Sequence, residues 1–131
     1  MFIKTFALAL ILFMVLDAPY LYLNMSLFKS YINKISGKDA TNRYYSAIMV
    51  YIALALGVSV LVVPRIRTGT IENRFADSLL FGGVFGLAAY GTYDFTVHFM
   101  FEGWDLKVAM MDTLWGGILC SAVAFMSSYL Q

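Results

Sequence analysis

Three features of the chain predict an all-α, four-transmembrane-helix bundle with a short amphipathic interfacial helix after the first span. Of its 131 residues 61% are hydrophobic and only 13% are charged, against about a quarter charged in soluble domains. Mean hydropathy is +0.76. The apolar residues gather into four stretches, each near the roughly 20 residues that a helix needs to cross a bilayer core. A soluble fold of this length could not hide so much apolar surface, so lipid is the expected solvent.

The spans fall at residues 2–23, 44–63, 76–100 and 107–130 of one polytopic domain, 1–131. Lys4 and the apolar run 6–16 have the outline of a signal peptide. No small-x-small cleavage site follows, and apolar residues continue to Leu23, so the segment is expected to stay as a span. An even number of spans puts both ends on one side, A, with side B opposite.

The first connection, residues 24–43, lies on side B. Leu27, Phe28, Tyr31, Ile32 and Ile35 recur at helical spacing, with Lys29, Asn33 and Lys34 between them. This predicts a short helix lying in the interface and stopped by Gly37. Asp39 or Thr41 is the expected cap of the second span. Asn24-Met25-Ser26 matches a glycosylation sequon but abuts the membrane.

Val63-Pro64-Arg65 closes the second span, and an Arg-rich side A loop follows (Arg65, Arg67, Arg74). Thr70 should cap the third span, with Glu72 in its first turn. A tight side B turn, residues 101–105, leads into the fourth. Its Trp104 is expected at headgroup level, together with Lys29, Lys34, Lys38, Arg65 and Arg67 as interface anchors. Side A carries Lys4, Arg65, Arg67 and Arg74, and side B carries Lys29, Lys34, Lys38, Arg43 and Lys107. So even a balance leaves orientation open.

Small residues mark two helix faces: Gly82-x-x-x-Gly86 in the third span and Gly117-x-x-x-Ser121 in the fourth. Both let backbones approach closely, either within the bundle or at a homo-oligomer seam.

The chemistry-bearing residues are Asp17, Asp94 and Asp112, each inside an apolar stretch. A carboxylate at membrane depth is costly unless it is paired, protonated or wet, so each is a functional candidate. Chain direction places all three in the side B half. His98 shares a helix face with Asp94 and Tyr90, and Trp115 and Gly116 follow Asp112. No Lys or Arg occurs deep in any span. The remedies are protonation, a metal ion, an opening to water, or hydrogen bonds from Tyr, Trp, Thr and His. Asp17, Asp94, His98 and Asp112 together suit a hard or borderline divalent ion. Alternatively each acid is a packing device, with Asp112 near its helix's positive end and Asp17 beside a break at Pro19.

A net charge of +1 argues against nucleic acid. A single cysteine, Cys120, excludes an intrachain disulfide. No nucleophile elbow, HExxH, phosphate loop or cysteine pair is present, so no enzyme class and no cofactor is expected.

Certain residues also carry a resemblance. Tyr90-Gly91-Thr92-Tyr93-Asp94-Phe95-Thr96, preceded by Ala88-Ala89, then Gly103-Trp104, then Met111-Asp112-Thr113-Leu114-Trp115-Gly116, with Leu16-Asp17 early on, resemble the signature of the membrane-protein family called domain of unknown function 2177. The resemblance covers essentially the whole chain. It departs at Val97, where the family typically has Asn, and after Asp17, where Ala18-Pro19-Tyr20-Leu21 replaces an aliphatic-Trp-Leu run. It implies four spans and a compact membrane protein, and no reaction, substrate or cofactor. Members resembling this chain occur in bacteria and large DNA viruses.

Two readings of function follow. The first is a non-enzymatic structural or scaffolding component of a membrane or larger membrane assembly, such as an internal viral membrane, with protein partners on its basic loops. The second is a membrane site for a proton, metal or small lipid-like substrate, built on Asp17, Asp94, His98 and Asp112.

Overall fold

A computed structural model describes residues 2–37 and 44–130. Among them the chain is helix and short loop with no strand, and it forms four rods. The first is α1 (Phe2–Ser36). The second is α2 (Tyr44–Gly57), continued by a π turn, Val58–Val62, and a 3-10 turn, Val63–Arg65. The third joins α3 (Ile71–Asp77) through a π turn, Ser78–Gly82, to α4 (Gly83–Met100). The fourth is α5 (Leu106–Tyr129).

The first, second and fourth rods are long and apolar enough to cross a membrane. The third is not counted with them. It carries Asp77, Asp94, His98 and the glycines 82, 83, 86 and 91, which depress its hydropathy. Large side chains point outward all round, among them Phe99 at 88% exposed and Ile3 at 79%. Such a surface suits lipid and not water.

The segment expected as a separate interfacial helix is helical but is the continuation of α1. Neither glycine nor proline interrupts residues 20–36, and Asn24 Nδ2 bonds back to the Tyr20 carbonyl at 2.9 Å. At 1.5 Å per residue α1 is about 52 Å long, well beyond a hydrocarbon core of about 30 Å. Part of its apolar face is covered within the chain. Phe28, Tyr31 and Ile35 pack on Trp104, Val108 and Ala109 at the α4–α5 turn. Gly37 ends the helix as expected: its φ is +72°, and its N–H donates to the Asn33 carbonyl at 2.8 Å. Asp39, Thr41, Lys38 and Arg43 lie outside the described residues. Pro19 does not end α1, which runs through it.

The central rod is α5. Half of its most apolar window is buried, against 17% for α1. Its most extensive partner is α4, and small residues set the seam. A Cβ on Gly86 would stand 2.1 Å from the Gly116 carbonyl oxygen, and one on Gly82 would stand 2.9 Å from that of Cys120. The small-residue faces of both helices are thus used against each other within the chain. With lipid outside, such close packing and not apolar burial holds helices together. Ser121 lies in the same seam, its hydroxyl bonded to the Gly117 carbonyl at 2.8 Å.

Side A is tied by polar groups. Thr70 caps α3, accepting from Asn73 N–H at 3.1 Å, as the sequence indicates. Arg67 forks onto Asp77 through Nε at 2.9 Å and Nη2 at 3.0 Å, while its backbone N–H donates to the same carboxylate at 2.8 Å. The paired guanidinium is held charged, above its ordinary range, by that carboxylate. Arg65 lies over the Phe81 ring at 6.0 Å.

Candidate functional site

Each of the three acids comes from a different helix, and they meet in the half of the bundle that the chain direction assigns to side B. Asp17 of α1 is 5% exposed and takes two hydrogen bonds from neighbouring helices. The Tyr51 hydroxyl of α2 donates to Oδ2 at 2.5 Å, and the Trp115 indole N–H of α5 donates to Oδ1 at 2.9 Å. An indole N–H can only donate, so Oδ1 is an acceptor here. Asp112 of α5 accepts from the Tyr20 hydroxyl of α1 at 2.8 Å. The Tyr20 ring in turn stacks on Trp115, with centroids 4.7 Å apart and planes 12° from parallel. Tyr20 and Trp115 therefore join the two carboxylates into one network.

Asp94 of α4 completes the group on different terms. It is 0% exposed, and neither carboxylate oxygen makes a hydrogen bond of proper geometry. Its polar neighbours are the Asp112 carboxyl and the Trp104 indole. Trp104 Nε1 is itself buried without a hydrogen-bond partner. Two carboxyl groups side by side in a dry place repel when both are ionised; a proton or a cation between them relieves this.

Two of the acids border a cavity of about 500 Å³, and Asp94 lies behind them. Asp17 and Asp112 supply its carboxylates, and Tyr20, Phe28, Tyr90, Tyr93 and Trp104 supply aromatic rings. Aliphatic groups (Leu21, Ile32, Val50, Leu54 and Ala89) make up the rest. No Lys or Arg lines it. Leu21 and Val50, 39% and 55% exposed, form a rim between α1 and α2 on the surface suited to lipid.

His98 does not join the acids. Its Nδ1–H donates to the Trp104 carbonyl at 2.6 Å, which ties the last turn of α4 to the turn that follows. Among the described residues no three His, Cys, Asp or Glu side chains are grouped as ligands for one metal ion. Trp104 is turned inward, 4% exposed, and not outward to headgroups. The rings of Phe28, Tyr31 and Tyr93 surround it at 6.0–6.4 Å, because the C-terminal half of α1 folds over the α4–α5 turn. Thr96 bonds back to the Thr92 carbonyl and does not reach the acids.

The sequence indicates the acids and the kind of donor they need, but not which donors. Tyr20 and Tyr51 are missed. Tyr20 follows Asp17 by three residues, a spacing that puts both on one helix face. For Tyr51 no comparable local signal exists.

These features describe a small polytopic membrane protein with a polar group enclosed among apolar helices. The chain belongs to the predicted membrane protein family called domain of unknown function 2177, whose model matches residues 2–129. No curated protein and no solved structure matches it significantly.

Proposed function

We propose that the protein is a membrane-embedded receptor or carrier site for a small, largely apolar molecule with a polar head. The observation that supports this reading is the convergence of Asp17, Asp94 and Asp112, from three helices, beside a roughly 500 Å³ cavity. Ligand pockets are mostly apolar, with a few convergent polar groups that fix orientation, and commonly enclose about 300–1,000 Å³. The lining here has that composition. The exposed rim at Leu21 and Val50 gives a route from lipid for the apolar body.

A second reading, a structural or scaffolding component, draws support from the same hydrogen bonds. Tyr51–Asp17, Trp115–Asp17 and Tyr20–Asp112 tie α1, α2 and α5 together, as packing devices do. Under that reading the protein acts through partners on its loops, in a bilayer or a larger assembly such as an internal viral membrane.

A cavity-filling variant separates the two. Ala89 lines the cavity. Bromophenyl-alkyl probes with a cationic, a neutral or an anionic head are titrated against the protein in lipid nanodiscs, with tryptophan quenching as the readout. We expect at least one head group to quench saturably in the wild type and at least tenfold more weakly in Ala89→Phe. An absence of saturable quenching with all three probes rejects the ligand site and leaves the structural reading.

A further inference from the structure

We propose that the head of the molecule this cavity takes is an organic cation, an amine or quaternary ammonium group carried on an apolar body. The inference rests on the reading of the cavity as a ligand site and adds the charge of the ligand.

Three independent observations carry it. The first is electrostatic balance. Two carboxyl groups line the cavity, a third, that of Asp94, lies behind Asp112, and the only ion pair among the described residues, Arg67–Asp77, lies away from them. A bound cation would supply the counter-charge that the bundle itself lacks, in a medium where an unpaired charge is expensive.

The second is the pair of buried groups without hydrogen bonds. Asp94 is wholly enclosed, its polar neighbours being the Asp112 carboxyl and the Trp104 indole that line the cavity, and neither its oxygens nor Trp104 Nε1 makes a hydrogen bond of good geometry. Asp94 does not itself line the cavity, but an acid held this close behind the wall adds to the negative field that a bound cation would offset.

The third is the wall. Five aromatic rings line a cavity whose charged groups are all acidic. Ring faces are electron-rich and attract ammonium groups, most strongly when water is excluded, and aromatic cages are the usual device for quaternary ammonium recognition. The same wall repels anions. Among the described residues it gathers no three His, Cys, Asp or Glu side chains to ligate a bare metal ion, and a proton alone needs no such volume.

Both tryptophans of the chain, Trp104 and Trp115, lie at this site, so intrinsic fluorescence reports directly on it. The test compares phenethyltrimethylammonium with its neutral carbon isostere, (3,3-dimethylbutyl)benzene, and with 3-phenylpropanoate. Each is titrated against the full-length protein in zwitterionic lipid nanodiscs with excitation at 295 nm. The expected result is saturable binding of the ammonium probe at least tenfold tighter than the isostere, with no saturation by the anion. Asp112→Asn should weaken the ammonium probe and leave the isostere unchanged. Equal binding of ammonium and isostere, or tighter binding of the anion, overturns the cationic assignment while the ligand site stands. Failure of all three to bind overturns both. The wild-type comparison needs no variant, so a misfolded Asp112→Asn does not blunt it.

Discussion

Tyr20 and Asp112 stand 92 residues apart in the chain and are joined by a 2.8 Å hydrogen bond. The same tyrosine lays its ring on Trp115, one turn further along the helix that carries Asp112. One residue of α1 thus grips α5 twice, by a polar contact and by a stacked one. The two contributions are separable. Tyr20→Phe keeps the ring and deletes the hydroxyl, while Asp112→Asn keeps the shape and changes the acceptor. In a double-mutant cycle in detergent micelles, the coupling should be about 1 kcal/mol, in the range measured for polar contacts between membrane helices. Additive effects would show that the hydroxyl bond is worth nothing beyond its ring.

Gly86 and Gly116 hold α4 and α5 at backbone contact, and the contact leaves no room for a methyl group. A Cβ at Gly86 would meet the Gly116 carbonyl oxygen at 2.1 Å, and backbone cannot swing aside as a side chain can. Gly86→Ala should therefore destabilise the bundle by about 1–3 kcal/mol or more, the usual cost of overpacking. Gly69 in the side A loop has nothing within 4 Å of an added Cβ, so Gly69→Ala should stay within about 0.5 kcal/mol of wild type. Thermal unfolding of the two variants side by side makes the comparison. Equal losses would place the helices further apart than described.

Asp94 is the acid whose replacement should help stability. It is fully buried beside another carboxyl, and no hydrogen bond compensates it. Asp94→Asn keeps the shape and removes a group that must either hold a proton or repel the Asp112 carboxyl, a change expected to be stabilising by about 1 kcal/mol. We expect a higher unfolding temperature together with weaker binding of the ammonium probe. This is the trade expected where a residue is kept for a task and not for the fold. A marked fall in unfolding temperature would make Asp94 a structural acid.

How much of this was legible in the sequence differs from element to element. Thr70 as a cap and Gly37 as a stop were readable because capping is local, decided by a hydroxyl three residues from an amide or by a residue free to take positive φ. The pairing of the small-residue faces at 82–86 and 117–121 was readable as close packing. Its use within the chain was not, since a glycine does not say whose backbone it admits. The segment after Leu23 was readable as helical and amphipathic. Its continuity with α1, and the burial of its apolar face on Trp104, were not. An amphipathic face fits headgroups or a neighbouring helix equally well. Trp104 was misplaced for the same reason, because a tryptophan next to a membrane helix suits a lipid interface or a covered turn.

The sequence by itself indicated a lipid solvent and four helical rods, though not that the segment after Leu23 continues the first rod. Composition and apolar run length decide that a chain belongs in lipid and how many rods it forms, since bilayer thickness sets helix length. It also singled out Asp17, Asp94 and Asp112, because a carboxyl among apolar residues is conspicuous in any fold. Only the tertiary structure decided what surrounds them. Tyr51, Tyr20 and Trp115 reach the acids across 34, 92 and 98 residues, Asp94 is left without a hydrogen bond, and His98 is drawn away to the Trp104 carbonyl. The physical reason is one of range. Helix formation and capping depend on neighbours within a turn. Which side chain satisfies a buried carboxylate depends on how helices pack and rotate against one another, and no local pattern encodes it.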